Sequence, residues 1–522
     1  MKRKFLAGLP LGLALSLILP AAAFGAETPV LDTPEASINA MWVIVAAILV
    51  MFMQAGFAFL EIGFSRAKNA GAGIAKILVN FSIASLCYWA VGFALAFGGA
   101  GAIAGTHGFF LDVGSSVEQA GSSIPIVDAY GISPAAFMFF QFVFCAVSLA
   151  IVWGTTLERI KFGAYVIYAI IFSALIYPLL SHWIFGGGWL QVSIGMQDFA
   201  GSTVVHLIGA TGALAALLLL GPRVGKYGPD GKPRVIPGHS MPLVGLGVLI
   251  LWLGWFGFNP GSTLGAIGGR FAEVAVVTNL AAAAGVVAAV SVMYLKTKTI
   301  DIGMAGNGAI AALVGITAPS GYVEFWAAPI IGAVAGAIVV FGILAIEKVL
   351  DDPVGALSAH GLAGVWGTLA CGLFTSPRLA ELNAVGDAGL WYQVFDSSNA
   401  PGGLFSQLGA QALGVVVAFA CVFTVSYAVF ALIKQTIGLR VSEAEEDAGL
   451  DIAEHGMYGY PEQFIPQPEY STGLPSTAAP MPEGAPAPAV SQMASAQAQM
   501  AAPQQSQPTP APQSQYRGGP DA

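Results

Sequence analysis

Residues 198–212, DFAGSTVVHLIGATG, set Asp198 eight positions before His206 and then run into hydrocarbon. DDPVGALSAHGLAGVWG at 351–367 repeats the arrangement, with Asp352 eight positions before His360. An imidazole offers a donor and an acceptor without fixed charge, so two that face each other can share one hydrogen and pass a proton. Glycines follow each histidine, Gly209 and Gly212 in one copy and Gly364 and Gly367 in the other, and would let those helices approach closely. A histidine satisfied by a neighbouring helix is the plainer reading of either residue alone. The cost of ionisable groups in apolar segments and the paired spacing favour a working pair. Metal binding is not expected, since no third ligand stands at usable spacing and His107, His182, His239 and His455 fall in loops or near segment ends.

The elements that must hold this pair follow from composition. Of 522 residues, 56% are hydrophobic and only 9% charged, and mean hydropathy is +0.74; an average soluble domain carries roughly 25% charge. Apolar blocks of about 20 residues, divided by short polar or Gly/Pro breaks, are what helices crossing about 30 Å of hydrocarbon require. Eleven spans are expected, near residues 50, 85, 145, 172, 211, 250, 285, 309, 337, 365 and 420. The histidines then sit in spans five and ten, the last members of two five-helix halves. An odd number of helices per half forces opposite orientations, and inverted repeats place their shared site at the interface near the bilayer midplane. The expected fold is an all-α integral membrane protein with two inverted five-helix repeats, spans 1–5 and 6–10, plus an eleventh helix.

The first residues, MKRKFLAGLPLGLALSLILPAAAFGAE, combine a basic start, a short apolar core and small residues near Ala23–Ala26, so 1–26 reads as a cleaved signal peptide of a bacterial envelope protein. With that start outside and an odd span count, the C-terminus falls in the cytoplasm. Thirteen Lys and Arg then lie in cytoplasmic loops, Arg66, Arg159, Arg223 and Arg440 among them, against only Arg270 and Arg378 outside. The net charge of −9 reflects acids crowded at Glu443–Glu454 and leaves no nucleic-acid footprint. The four cysteines, all within apolar blocks, are expected to be buried free thiols. No nucleophile–base arrangement or cofactor loop stands out, so neither an enzyme nor a cofactor is expected. Residues 461–522, rich in Pro, Ala, Gln and Ser, are expected to be disordered.

In order along the chain, MQAGFAFLEIGFSRAKNA (53–70), FFQFVFCAVSLAIVWGTTLERIKF (139–162), DFAGSTVVH (198–206), GWFGFNPGS (254–262), MAGNGAIAALVGITAPSGYV (304–323), DDPVGALSAHGLAGVWG (351–367) and GLRVSEAEEDAGLDIAEHG (438–456) resemble the ammonium transporter (Amt/Mep/Rh) family, in its bacterial Amt form. The resemblance implies an eleven-helix protomer with its own pore, assembled as a homotrimer and conducting ammonium across the cytoplasmic membrane. It puts the pore histidines on His206 and His360, the ammonium recruitment site on Phe144 and Ser262, a stacked phenyl gate on Phe144 and Phe258, and an outer acid on Asp198. Where most members carry a tryptophan before three glycines, HWIFGGGWL has Phe185; Trp183 and Trp189 flank it as substitutes. The family's C-terminal segment, here 438–460 after a membrane domain at 27–437, packs under the bundle and helps dock a PII-type regulatory protein.

The residues allow a second role for Asp198, since a carboxylate at a helix start can cap free N–H groups around Gly201 and Ser202. Asp351 and Asp352 are expected to cap likewise at the opposite end. The leading reading is ammonium transport by recruitment, deprotonation and conduction of ammonia, with the proton relayed by the histidines. The rivals are an ammonium sensor signalling to a cytoplasmic partner and a neutral-gas channel.

Overall fold

The computed structural model describes residues 33–113 and 124–464; the leader expected over 1–26 and the tail beyond 464 lie outside them. Among the described residues, ten helices are long and apolar enough to cross a membrane: Pro34–Phe64, Ala67–Phe97, Pro134–Thr155, Phe162–Val192, Ser202–Leu220, Met241–Thr263, Arg270–Thr297, Ala327–Ile346, Leu357–Phe374 and Ser406–Thr436. The shorter apolar helix Ile302–Thr317 takes the eighth place, so a helix stands at each of the eleven expected positions. Their starts follow from local chemistry. Thr33, Ser133 and Ser240 each accept a backbone N–H of the first turn, with proline just inside, and Asp301 caps the eighth helix without one. No strand occurs among the described residues, where only the bridges Ile160–Arg440 and Tyr227–Pro233 pair extended backbone.

The packing has the regularity of two repeats. Span 1 lies along span 6; span 3 packs on span 1 as span 8 packs on span 6; span 5 packs on span 3 as span 10 packs on span 8; and spans 5 and 10 meet. Span 11 covers spans 5 and 10 from outside. Spans 3 and 5 are the most enclosed, whereas Leu86, Leu249, Val287 and Val416 on other spans stand exposed, a surface suited to hydrocarbon.

The glycines act differently from expectation. A Cβ on Gly364 would lie 2.8 Å from the Ser202 carbonyl oxygen and one on Gly367 2.6 Å from the Ser202 hydroxyl, so these two do bring span 10 onto span 5. Gly209 and Gly212 instead make room for other neighbours, the Ser148 carbonyl and the Tyr168 hydroxyl. All four cysteines are free; Cys145 and Cys371 are buried, but Cys87 and Cys421 are only half-buried because they lie on outward faces of their spans.

One face of the bundle carries Arg66, Arg159, Arg223 and Arg440, and residues 439–459 close over it. Asp451 accepts the backbone N–H groups of Gly71 and Ala72 at the start of span 2 (3.0 and 2.8 Å), and Glu454 accepts that of Phe162 at the start of span 4 (2.8 Å). Glu446, buried, pairs with Arg440 at 2.6 Å and accepts the Val224 N–H at 2.7 Å. Asp451 and Glu454 thus satisfy helix starts that would otherwise leave donors unpaired, while Glu446 serves the loop after span 5.

Candidate functional site

His206 and His360 meet. Their Nδ1 atoms are 3.2 Å apart and their rings lie nearly parallel, with centroids 5.2 Å apart. Each stands in a single π-helical turn, Ser202–Leu207 and Leu357–Leu362, that opens the span. Such turns leave the regular i→i−4 ladder locally unmade, and here the Ser148 hydroxyl donates to the Val205 carbonyl (2.7 Å) while the Thr203 and Thr368 hydroxyls bond each other at 2.5 Å. Two facing Nδ1 atoms can hold one hydrogen between them, which sets opposite tautomers on the two rings.

Aromatic rings continue the lane from His206. Trp255 stacks on it at 5.3 Å and Phe258 stands at 5.5 Å; Phe258 in turn stacks on Phe144, with centroids 4.0 Å apart and planes 22° apart. Beyond Phe144, on the face opposite the basic one, a vestibule of about 120 Å³ is lined by Phe144, Phe185, Asp198 and Ser262, with Gln141 and Tyr130 beside them. The structure therefore gathers into one lane all seven residues singled out in the sequence. Ser262 gives its own hydrogen to the Phe258 carbonyl at 2.8 Å, which leaves its oxygen lone pairs for a donor in the vestibule. Trp183 and Trp189 do not line this space. They pack against each other at 5.9 Å, and the Trp183 indole donates to the Ile103 carbonyl, so of the three aromatic residues Phe185 alone lines the vestibule.

Asp198 is a cap. One carboxylate oxygen accepts Gly201 and Ser202 N–H (2.7 and 3.0 Å), and the other accepts Thr203 and Val204 N–H (2.9 and 3.1 Å). Asp352 repeats this at the other end, taking Gly355 and Leu357 N–H at 3.1 and 2.7 Å. Asp351 departs from the expected capping. It binds the Arg223 guanidinium at 2.9 Å and the Arg223 N–H at 2.8 Å, with the buried Arg159 nearby. Burial alone would raise its pKa, but the Arg223 hydrogen bonds and the Arg159 and Arg223 charges hold it at about 2.

Sequence reasoning missed three residues of the lane. Trp255 lies three positions before Phe258 and hence on the same helical face. Gln141 sits three before Phe144, buried, with its carbonyl oxygen lacking a partner. Glu61, in span 1, lines a cavity on the far side of His360; a lone charge inside an apolar block was its signal.

The Ammonium Transporter Family model matches residues 41–460. Ammonium transporter Amt2 of Archaeoglobus fulgidus is 45% identical over 451 residues, which cover 84% of this chain and 91% of that protein. Among solved structures, one named Sensor Amt Protein is 36% identical with a TM-score of 0.72, covering 80% of this chain and 98% of that one. Candida albicans Mep2 is 29% identical with a TM-score of 0.69, covering 80% and 88%. A multi-pass helical membrane protein matched along so much of its length belongs to the ammonium transporter family, a family of transporters and not of enzymes.

Proposed function

We propose that this chain takes up ammonium by separating it into ammonia and a proton at the vestibule and rejoining them beyond the histidines. The observation that carries this reading is the 3.2 Å contact between the two Nδ1 atoms inside a lane otherwise walled by rings and aliphatic groups. Moving an ion of ammonium's size into a dielectric near 4 costs on the order of 20 kcal/mol. A cation–π contact contributes only about 0.5 to 2 kcal/mol. Phe144, Phe185 and Ser262 therefore suffice to gather the ion and not to carry it dry. Once deprotonated, ammonia passes Phe144 and Phe258, and the imidazoles give it donors and acceptors while relaying the proton beside it.

The same reading assigns the basic face to the cytoplasm by the excess of Lys and Arg there, and the membrane to the bacterial inner membrane. It divides the chain into a leader (1–26), a transport domain (27–437), a regulatory segment (438–460) and a tail. Family resemblance supports a homotrimer. The acidic segment seated on the starts of spans 2 and 4 supports regulation from that side, including docking of a PII-type protein. A sensing role has one specific support, the likeness to the protein named Sensor Amt Protein.

The test is current across purified proteoliposomes on a solid support after an ammonium jump, with His206→Ala/His360→Ala as comparison. A wild-type current that the double variant loses, or that becomes carried by potassium, supports the reading. No current, with a lumenal dye reporting ammonia entry, gives the neutral channel; silence in both gives the sensor.

A further inference from the structure

Glu61 belongs to span 1 and is 2% exposed, and its Oε2 has no hydrogen-bond partner. Room for it is made by Gly154 of span 3, where a Cβ would stand 2.8 Å from Oε1. Its one neighbouring lysine, Lys76, is fully buried but committed elsewhere: the Nζ lies 3.9 Å from the centroid of the Trp153 ring and 3.8 Å from Oε2 of Glu454 in the cytoplasmic segment. Among the described residues no cation comes within ion-pair distance of Glu61. A carboxylate left unpaired in a membrane interior is expensive, and such groups mark ion and proton paths.

What Glu61 faces is a cavity of about 20 Å³ whose other polar walls are His360 and Asn307. That volume holds one water, and the three side chains supply the two to four partners a buried water needs. His360 turns Nδ1 to His206 and is also one of the residues that line this cavity.

We propose that Glu61 is the proton acceptor at the inner end of the histidine pair, reached through a water in this cavity; the inference rests on the relay reading above. When the pair is cationic, with a hydrogen on each Nε2 besides the one shared between the Nδ1 atoms, the Nε2–H bond of His360 breaks and its electron pair stays on the imidazole. The proton goes to the water oxygen, and the water passes one of its own protons to the Glu61 carboxylate. The histidines are then neutral, the water is unchanged, and the carboxylate has become a carboxyl. Loss of that proton to the cytoplasmic side restores the carboxylate for the next cycle. Asn307 orients the water.

The experiment uses the full chain in proteoliposomes and reads both the ammonium-jump current and lumenal alkalinisation by ammonia. Glu61→Gln, which keeps shape and removes the acceptor, is expected to lower the current at least tenfold while lumenal alkalinisation rises above wild type, because ammonia then enters without its proton; Glu61→Asp is expected to recover part of the current. Current within twofold of wild type in Glu61→Gln, or a lost current with alkalinisation no greater than wild type in folded protein, overturns the proposal. If Glu61→Gln does not insert, Asn307→Leu, which leaves the carboxylate and dries the cavity, decides: a current within twofold of wild type overturns it. A wild-type current abolished in the double histidine variant but kept in Glu61→Gln defeats this inference alone, whereas a silent wild type defeats the relay reading beneath it.

Discussion

Asp198→Asn is nearly isosteric, yet it is expected to destabilise the protein strongly. The carboxylate accepts four backbone N–H groups, two on each oxygen. An asparagine keeps one acceptor oxygen, which retains Gly201 and Ser202, and turns an NH2 toward the N–H groups of Thr203 and Val204. Each buried donor left without a partner costs about 1–3 kcal/mol, so the exchange costs about 4 kcal/mol, before the lost interaction of the charge with the helix start is counted. Thermal unfolding in detergent is expected to move down by on the order of 4 °C. Asp198→Ala is expected to cost no more than the asparagine, because water from the vestibule can reach the donors it frees. Ammonium flux per folded molecule in the same preparations separates cap from charge. If Asp198→Asn unfolds at the wild-type temperature yet loses flux, the carboxylate acts on the cation directly and the capping argument is refuted.

Two further outcomes follow from the same geometry. Phe185→Trp enlarges the π face at the vestibule, and a gain of about 0.5–1 kcal/mol in cation–π attraction is expected to lower the half-saturating ammonium concentration roughly two- to fivefold; an unchanged value means that this ring does not meet the ion. Asp351, held at about 2 against an ordinary 3.8 by Arg223 and Arg159 despite its burial, gives stability that is present above about pH 4 and lost as pH falls through 2. The difference is worth roughly 2 kcal/mol, so unfolding temperature against pH should fall below pH 4 in wild type and lack that slope in Asp351→Asn.

Hydropathy made the eleven helical positions legible because each span must satisfy its own backbone bonds in hydrocarbon, and the Asp–x7–His echo exposed the repeat that brings His206 to His360. Other features were illegible for physical reasons. Asp351 and Asp352 are adjacent acids, and successive side chains leave the backbone in different directions, so one caps while its neighbour turns to Arg223. Spacing gives the face of a glycine and not its neighbour, which is why Gly209 and Gly212 serve spans 3 and 4. Glu61 and Lys76, far from each other in kind of partner, read as isolated exceptions within apolar blocks until the fold gave one a cavity and the other the cytoplasmic segment.

The two caps also bear on why the lane can favour ammonia over a bare cation. Spans 5 and 10 begin at opposite mouths, and each start aims a positive helix end into the bundle. Left alone, these ends would repel an incoming cation at both entrances. Asp198 and Asp352 neutralise them by taking their N–H groups directly, and the carboxylates are thereby tied to backbone instead of being free to escort an ion. Between the Asp198 cap and the histidine pair stand Phe144, Phe258 and Trp255, and then the facing imidazoles. None carries a fixed charge while the pair is neutral. Under the proposed mechanism ammonium sheds its proton and enters this interval as ammonia, whereas potassium has no proton to shed and meets the full cost of desolvation. On that mechanism selectivity resides in what the ion can give up at the vestibule.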